Sequence, residues 1–69
     1  MISDIQDYLE RRKNLYPAPK LYVTSDIVQT TDVVYVAKID NRYSGDVKET
    51  IEDAIESLVT VLTEAGEIL

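Results

Sequence analysis

The side chains available for chemistry are almost all carboxylates. The chain of 69 residues carries 13 Asp and Glu residues but no His and no Cys. Histidine is the usual general base near neutral pH and the commonest transition-metal ligand, and the cysteine thiolate is the usual soft ligand and strong nucleophile. Without either, nucleophilic triads of the common kinds cannot be assembled, and none of Ser3, Ser25, Ser44 and Ser57 has a nucleophile-elbow context. The 2 glycines leave no phosphate-cradling loop. The stretch from Asp40 to Ile51 has Asp first and Gly45 sixth, as a calcium loop does, but Arg42 stands third and Ile51 twelfth, where a bidentate Glu is required. Paired carboxylates can hydrolyse glycosides, but so short a chain has little room for a pocket. The expectation is a protein that is not an enzyme and takes no cofactor and no metal.

What carboxylates can do without a partner base is project charge. The formal net charge of -6 is distributed unevenly. Residues 1–25 hold three acids against four bases and residues 26–43 three against two, whereas residues 44–69 hold seven acids against Lys48 alone. Within that last segment Asp46, Glu49, Glu52, Asp53 and Glu56 recur at helical spacings of three and four, which predicts a ridge of carboxylates on one helix face. Like charges so placed cost about 0.2–0.5 kcal/mol per pair, and only Lys48 is near enough to relieve them. A functional reading makes the ridge a surface for a basic partner, one that imitates the phosphate row of a nucleic acid. A structural reading makes it a solvated face, favoured near a helix start by the helix dipole and useful for solubility. Either way the field repels phosphates and anionic lipid, so direct nucleic-acid binding is not expected.

Those carboxylates need a scaffold, and the hydrophobic pattern supplies one. Ser3 with Gln6 three residues later reads as a capping box, predicting a helix over about 4–14 with Ile2, Ile5 and Leu9 on one face and Tyr8 beside them. Asn14, Pro17 and Pro19 stop it. From Leu21 to Ile39 the chain is rich in Val, Ile, Thr and Tyr, predicting strands over about 20–28 and 33–40, with Gln29, Thr30, Thr31 and Asp32 as the turn. Asp46 with Glu49 repeats the capping logic, and a second helix is predicted over about 46–65, closed by Gly66. Its apolar positions Val47, Ile51, Ala54, Leu58, Val61, Ala65 and Ile68 are spaced alternately by four and three, with Ile55, Leu62 and Leu69 alongside. The predicted fold is one small α+β domain in the order helix, strand, strand, helix, with an antiparallel hairpin packed against a long C-terminal amphipathic helix.

A domain of this size buries only about 60% of the surface its unfolded chain exposes, so it is marginal without help from disulfides, metal or self-association. The first two are missing from the composition. The second helix has two apolar rows where one suffices to cover a hairpin; the spare row covers the first helix or meets a second copy, and a homodimer through Leu58, Val61 and Leu62 is the expectation, with the outer face of the hairpin at Val34 and Val36 as an alternative partner surface. Among the 5 tyrosines, Tyr16 and Tyr43 fall in predicted loops and are the aromatic contact candidates for a partner. Arg11, Arg12 and Lys13 form the one basic cluster, suited to a helix C-terminus or to an acidic neighbour. The longest apolar run, Val33 to Ala37, is far short of the ~20 residues of a membrane span, and Ser3 and Asp4 stand where a signal peptide wants positive charge, so a cytoplasmic protein is expected.

The sequence therefore points to an acidic protein-interaction module, an inhibitor or adaptor for a basic, nucleic-acid-handling protein. Small acidic proteins made by phages and other mobile elements to block host defence are the analogy, resting on size and charge alone. Two other readings stay open: a virion or tail component that self-associates through its apolar helix face, and an antitoxin-like regulator of a basic toxin.

Overall fold

The computed structural model describes residues 2–27 and 32–68. The chain runs α1 (Ile2–Arg12), β1 (Leu21–Ile27), β2 (Val33–Ile39), β3 (Tyr43–Ser44) and α2 (Ile51–Glu64), a mixed α+β domain. The three strands form one antiparallel sheet in the order β1-β2-β3, so β2 is central and β1 is an edge. The turn expected at residues 29–31 lies outside the described residues, and Asp32 is exposed just before β2.

Period-2 alternation explains which face of the sheet is covered. Ala37 and Ile39 of β2 are fully buried, and Tyr35 and Leu21 pack against the same cluster. The register Leu21↔Ile39, Val23↔Ala37, Ser25↔Tyr35, Ile27↔Val33 puts these odd-numbered residues on one face. Helix α2 supplies Ala54, Ile55, Leu58, Val59 and Leu62 to the core, and α1 adds Ile5 and Tyr8. Leu58 and Leu62 have no exposed surface, and burying each contributes about 1.5–3 kcal/mol. The α2 helix lies mainly on β2 and β3, so β1 is left largely uncovered, with six of its seven residues exposed.

Two boundaries differ from the sequence expectation for identifiable reasons. Ser3 lies inside α1 rather than capping it, because the helix already includes Ile2. The second helix begins at Ile51, not Asp46. Residues Tyr43 to Lys48 are drawn into the sheet instead: Tyr43 and Ser44 pair with Ile39 and Lys38, the Gly45 N–H donates to Ala37 O at 3.0 Å, and Tyr35 and Lys48 exchange two bonds at 2.7 and 2.9 Å. Those backbone groups cannot serve a helix as well. Thr50 becomes the N-cap, its hydroxyl accepting from the Asp53 N–H at 3.1 Å, a capping pattern four residues after the one expected at Asp46 and Glu49.

The short third strand depends on a tight turn. Asp40 and Asn41 both take positive φ, 48° and 60°, which Asp and Asn tolerate better than most residues. The Arg42 N–H then donates to Ile39 O at 2.8 Å and the chain folds back on β2. At the other end Gly66, at φ 78°, closes α2 with the pair of bonds that mark a Schellman motif, Glu67 N–H to Leu62 O and Gly66 N–H to Thr63 O. Ile68 is thereby turned back into the core.

Candidate functional site

The five acids of the expected ridge are all exposed, but the structure divides them between two elements. Glu52, Asp53 and Glu56 stand on α2, with Glu56 four residues after Glu52 and three after Asp53. Asp46 and Glu49 precede the helix. Asp46 is nevertheless held against its side, because its N–H donates to the Ser57 hydroxyl at 2.7 Å. Three of the five, Asp46, Asp53 and Glu56, therefore line one cleft of about 460 Å³, together with Lys48, Ser57 and Thr60. The ridge is a patch built by a loop and a helix rather than a row along one helix.

No ion pair among the described residues relieves the patch. Among the described residues the ion pairs are Arg12 with Glu67 and Lys13 with Glu10, and neither involves the five acids. Lys48 lines the cleft without forming an ion pair to any of them. Glu52 and Asp53 sit in the first turn of α2, where the exposed N–H groups and the helix dipole offset part of their mutual repulsion. Glu56 is beyond that turn, and nothing comparable compensates it. Among the described residues no group of three carboxylates converges closely enough to hold a metal ion.

Tyr16 and Tyr43, distant in sequence, line a second pocket of about 300 Å³ that shares no residue with the acidic cleft. Tyr8, Arg12, Asp40, Arg42 and Glu67 complete its polar lining. Glu67 is the organising residue, and the sequence reading missed it. Its carboxylate pairs with Arg12 and accepts from the Tyr43 hydroxyl at 3.2 Å, and its backbone carbonyl accepts from Arg11 at 3.3 Å. Arg12 also lies over the Tyr8 ring, 5.5 Å from its centroid. Burial, and after it the Glu67 carboxylate, push the Tyr8 phenol above its ordinary pKa, while Arg12 pulls the other way. Arg11 and Arg12 thus tie α1 to the segment that follows α2, whereas Lys13 pairs with Glu10 three residues before it. Tyr43 spends its hydroxyl inside the chain, while Tyr16 is fully exposed. Glu67 follows Gly66 outside the periodic helix, so spacing alone gives no sign of its role.

The expected self-association residues are placed differently again. Leu58 and Leu62 are wholly inside the chain's own core and offer no surface to a second copy, while Val61 is partly exposed. The second apolar row of α2 is used up by α1, which packs on it through Ile5 and Tyr8. Val34 is buried and Val36 half-buried on the opposite face of the sheet. No helix of the described residues is long and apolar enough to cross a membrane.

No protein-family model, no curated protein and no solved structure matches this chain.

Proposed function

We infer that the chain is a non-enzymatic interaction module whose acidic patch docks a basic protein, of the kind that handles nucleic acid, as an inhibitor or adaptor. The observation that carries this reading is the set of five exposed carboxylates, Asp46, Glu49, Glu52, Asp53 and Glu56, with no ion-pair partner among the described residues. Five like charges on one small surface cost stability, and mixing in lysines would have removed the cost. They gain their value only when a cationic surface supplies the counter-charges.

The mechanism is electrostatic steering followed by short-range pairing. A patch of one sign raises the encounter rate with the opposite sign and suppresses wrong partners, more than it adds raw affinity. Glu52 and Glu56 are about 6 Å apart along the helix axis, whereas one DNA strand carries a charge roughly every 3.4 Å. The patch therefore imitates the sign and potential of a phosphate row at lower density, and Asp46 at its side brings the density up. Arginines that clasp phosphates accept carboxylates in the same planar, two-pronged geometry. A chain without cysteine needs no oxidising compartment, and a cytoplasmic nucleic-acid-handling enzyme is the partner class that fits.

Affinity capture with the purified chain tests this. Wild type should retain a basic protein that a variant carrying Asp46→Asn, Glu49→Gln, Glu52→Gln, Asp53→Asn and Glu56→Gln does not, while both give the same circular dichroism. Equal capture by the neutralised variant would reduce the patch to a solvated face.

A further inference from the structure

We propose that the outer edge of β1 is a docking edge for a second copy of this chain, pairing antiparallel with its own symmetry mate about Thr24 to make a continuous six-stranded sheet. The inference is independent of the acidic patch, which lies with α2 and the residues after β3, whereas β1 is the opposite edge of the sheet.

The backbone bonds define what that edge offers. The Asp40 N–H donates to Lys20 O at 3.2 Å, so residue 20 turns its carbonyl toward β2, and in an antiparallel ladder Tyr22, Thr24 and Asp26 do likewise. The alternation on β2 agrees: the Ala37 carbonyl and both polar groups of Tyr35 point away from β1, toward Gly45 and Lys48. Leu21, Val23, Ser25 and Ile27 therefore direct their N–H and C=O groups outward, and among the described residues nothing bonds to them. An unpaired edge of this length is a template for another strand, and proteins usually blunt it with Lys, Pro or a bulge. Leu21–Ile27 contains no Lys, no Pro and no Gly, and its single charge is Asp26.

The edge is complementary to itself. With Thr24 on the two-fold axis, Leu21 faces the mate's Ile27 and Val23 faces its Ser25, all four being outward-bonding residues, so every free N–H and C=O finds a partner. Side chains also agree. On the helix-covered face, Ile27 at the end of β1 is 73% exposed, beside Val33 at 48%. In this register it lands against the mate's Leu21, at the rim of the mate's core. On the other face Tyr22 meets Asp26 and Thr24 meets Thr24, a favourable cross-strand pair, and no like charges stand opposite each other. The lateral contact of Ile27 with the mate's Leu21 shields part of the apolar surface that a single copy leaves exposed on β1.

Sedimentation equilibrium of the purified chain alone, at micromolar to submillimolar concentration, reads the assembly. Wild type should be a dimer, and Ser25→Pro should be monomeric with unchanged helical circular dichroism, because the Ser25 N–H serves only the outer edge. Thr24→Lys, at an exposed position where it opposes two ammonium groups on the axis, should also lose the dimer. The register is read by single cysteines: Thr24 lies in a non-hydrogen-bonded pair about 4.5 Å from its mate, within disulfide reach. Thr24→Cys should oxidise to a covalent dimer and Tyr22→Cys should not. A monomeric wild type, a dimer that survives both Ser25→Pro and Thr24→Lys, or cross-linking at Tyr22→Cys in preference to Thr24→Cys overturns the proposal. None of these outcomes bears on the acidic patch, whose neutralised variant should dimerise as wild type does.

Discussion

Gly45 lies so close to α2 that a Cβ on it would stand 2.8 Å from the backbone nitrogen of Leu58 and 3.1 Å from the carbonyl carbon of Ser57. This contact seats the end of the sheet on the helix and delivers the next residue, Asp46, to the Ser57 hydroxyl. Helix backbone cannot yield as a flexible side chain can. Gly45→Ala should therefore destabilise the domain by about 1–3 kcal/mol, the usual cost of forcing atoms into a filled space. In a domain of this size each kcal/mol shifts the melting temperature by roughly 4–8 °C, so a thermal melt decides the point.

The start of α2 gives a second expectation. Thr50 caps the helix by accepting from the Asp53 N–H, whereas Asp46 and Glu49 lie outside it. Thr50→Ala should cost about 1 kcal/mol in a urea titration. Asp46→Asn and Glu49→Gln, whose side chains do not cap the helix, should leave the midpoint almost where it was.

Alkaline pH should weaken the fold through Tyr8. Burial and the neighbouring Glu67 raise the pKa of this phenol in the folded chain, so the native state holds the proton more tightly than the unfolded chain does. The contribution is complete below the ordinary tyrosine pKa of about 10 and is lost as pH climbs from there through the raised folded value. Urea midpoints measured across that range should fall for wild type more steeply than for Tyr8→Phe, which has no proton to lose. Parallel curves would show that Tyr8 ionises in the native state as freely as in the unfolded one.

Most of the scaffold is legible in the residue order, and the parts that are not share one cause. Apolar alternation in Leu21–Ile27 and Val33–Ile39 and the four-three spacing from Ile51 to Leu62 report local geometry, which is why the hairpin and second helix follow from pattern alone. The segment from Tyr43 to Glu49 carries a helix-start signal in Asp46 and Glu49 that loses to pairing of Tyr43, Ser44 and Lys48 with β2, a long-range interaction that spacing does not encode. The Asp40-Asn41 dipeptide, two residue types that tolerate the positive φ found there, is the sign of that turn in the sequence. For the same reason five acids at helical intervals become a patch on two elements. Likewise Leu58 and Leu62, apolar on the right face, turn inward to α1 and the sheet rather than outward to a second copy.

Glu56 separates stability from binding. It is four residues after Glu52, three after Asp53 and beyond the first turn of α2. Glu56→Lys replaces two repulsive contacts with attractive ones, and a Glu preceding Lys by four is the favourable orientation. Stability should rise by about 0.2–0.5 kcal/mol per pair, while capture of the basic partner should fall. A variant that is both more stable and equally well bound would mean that Glu56 makes no contact with the partner.

Electrostatic docking through Asp46, Glu49, Glu52, Asp53 and Glu56 is tested most directly by titrating the captured partner with wild type and with the five-site neutral variant over a series of salt concentrations. Exposed charges are screened within about 8 Å at physiological ionic strength, so wild-type affinity should drop steeply as salt rises and converge on the weak, salt-insensitive affinity of the variant. Affinity that is unchanged by salt and equal in the two proteins would contradict the account.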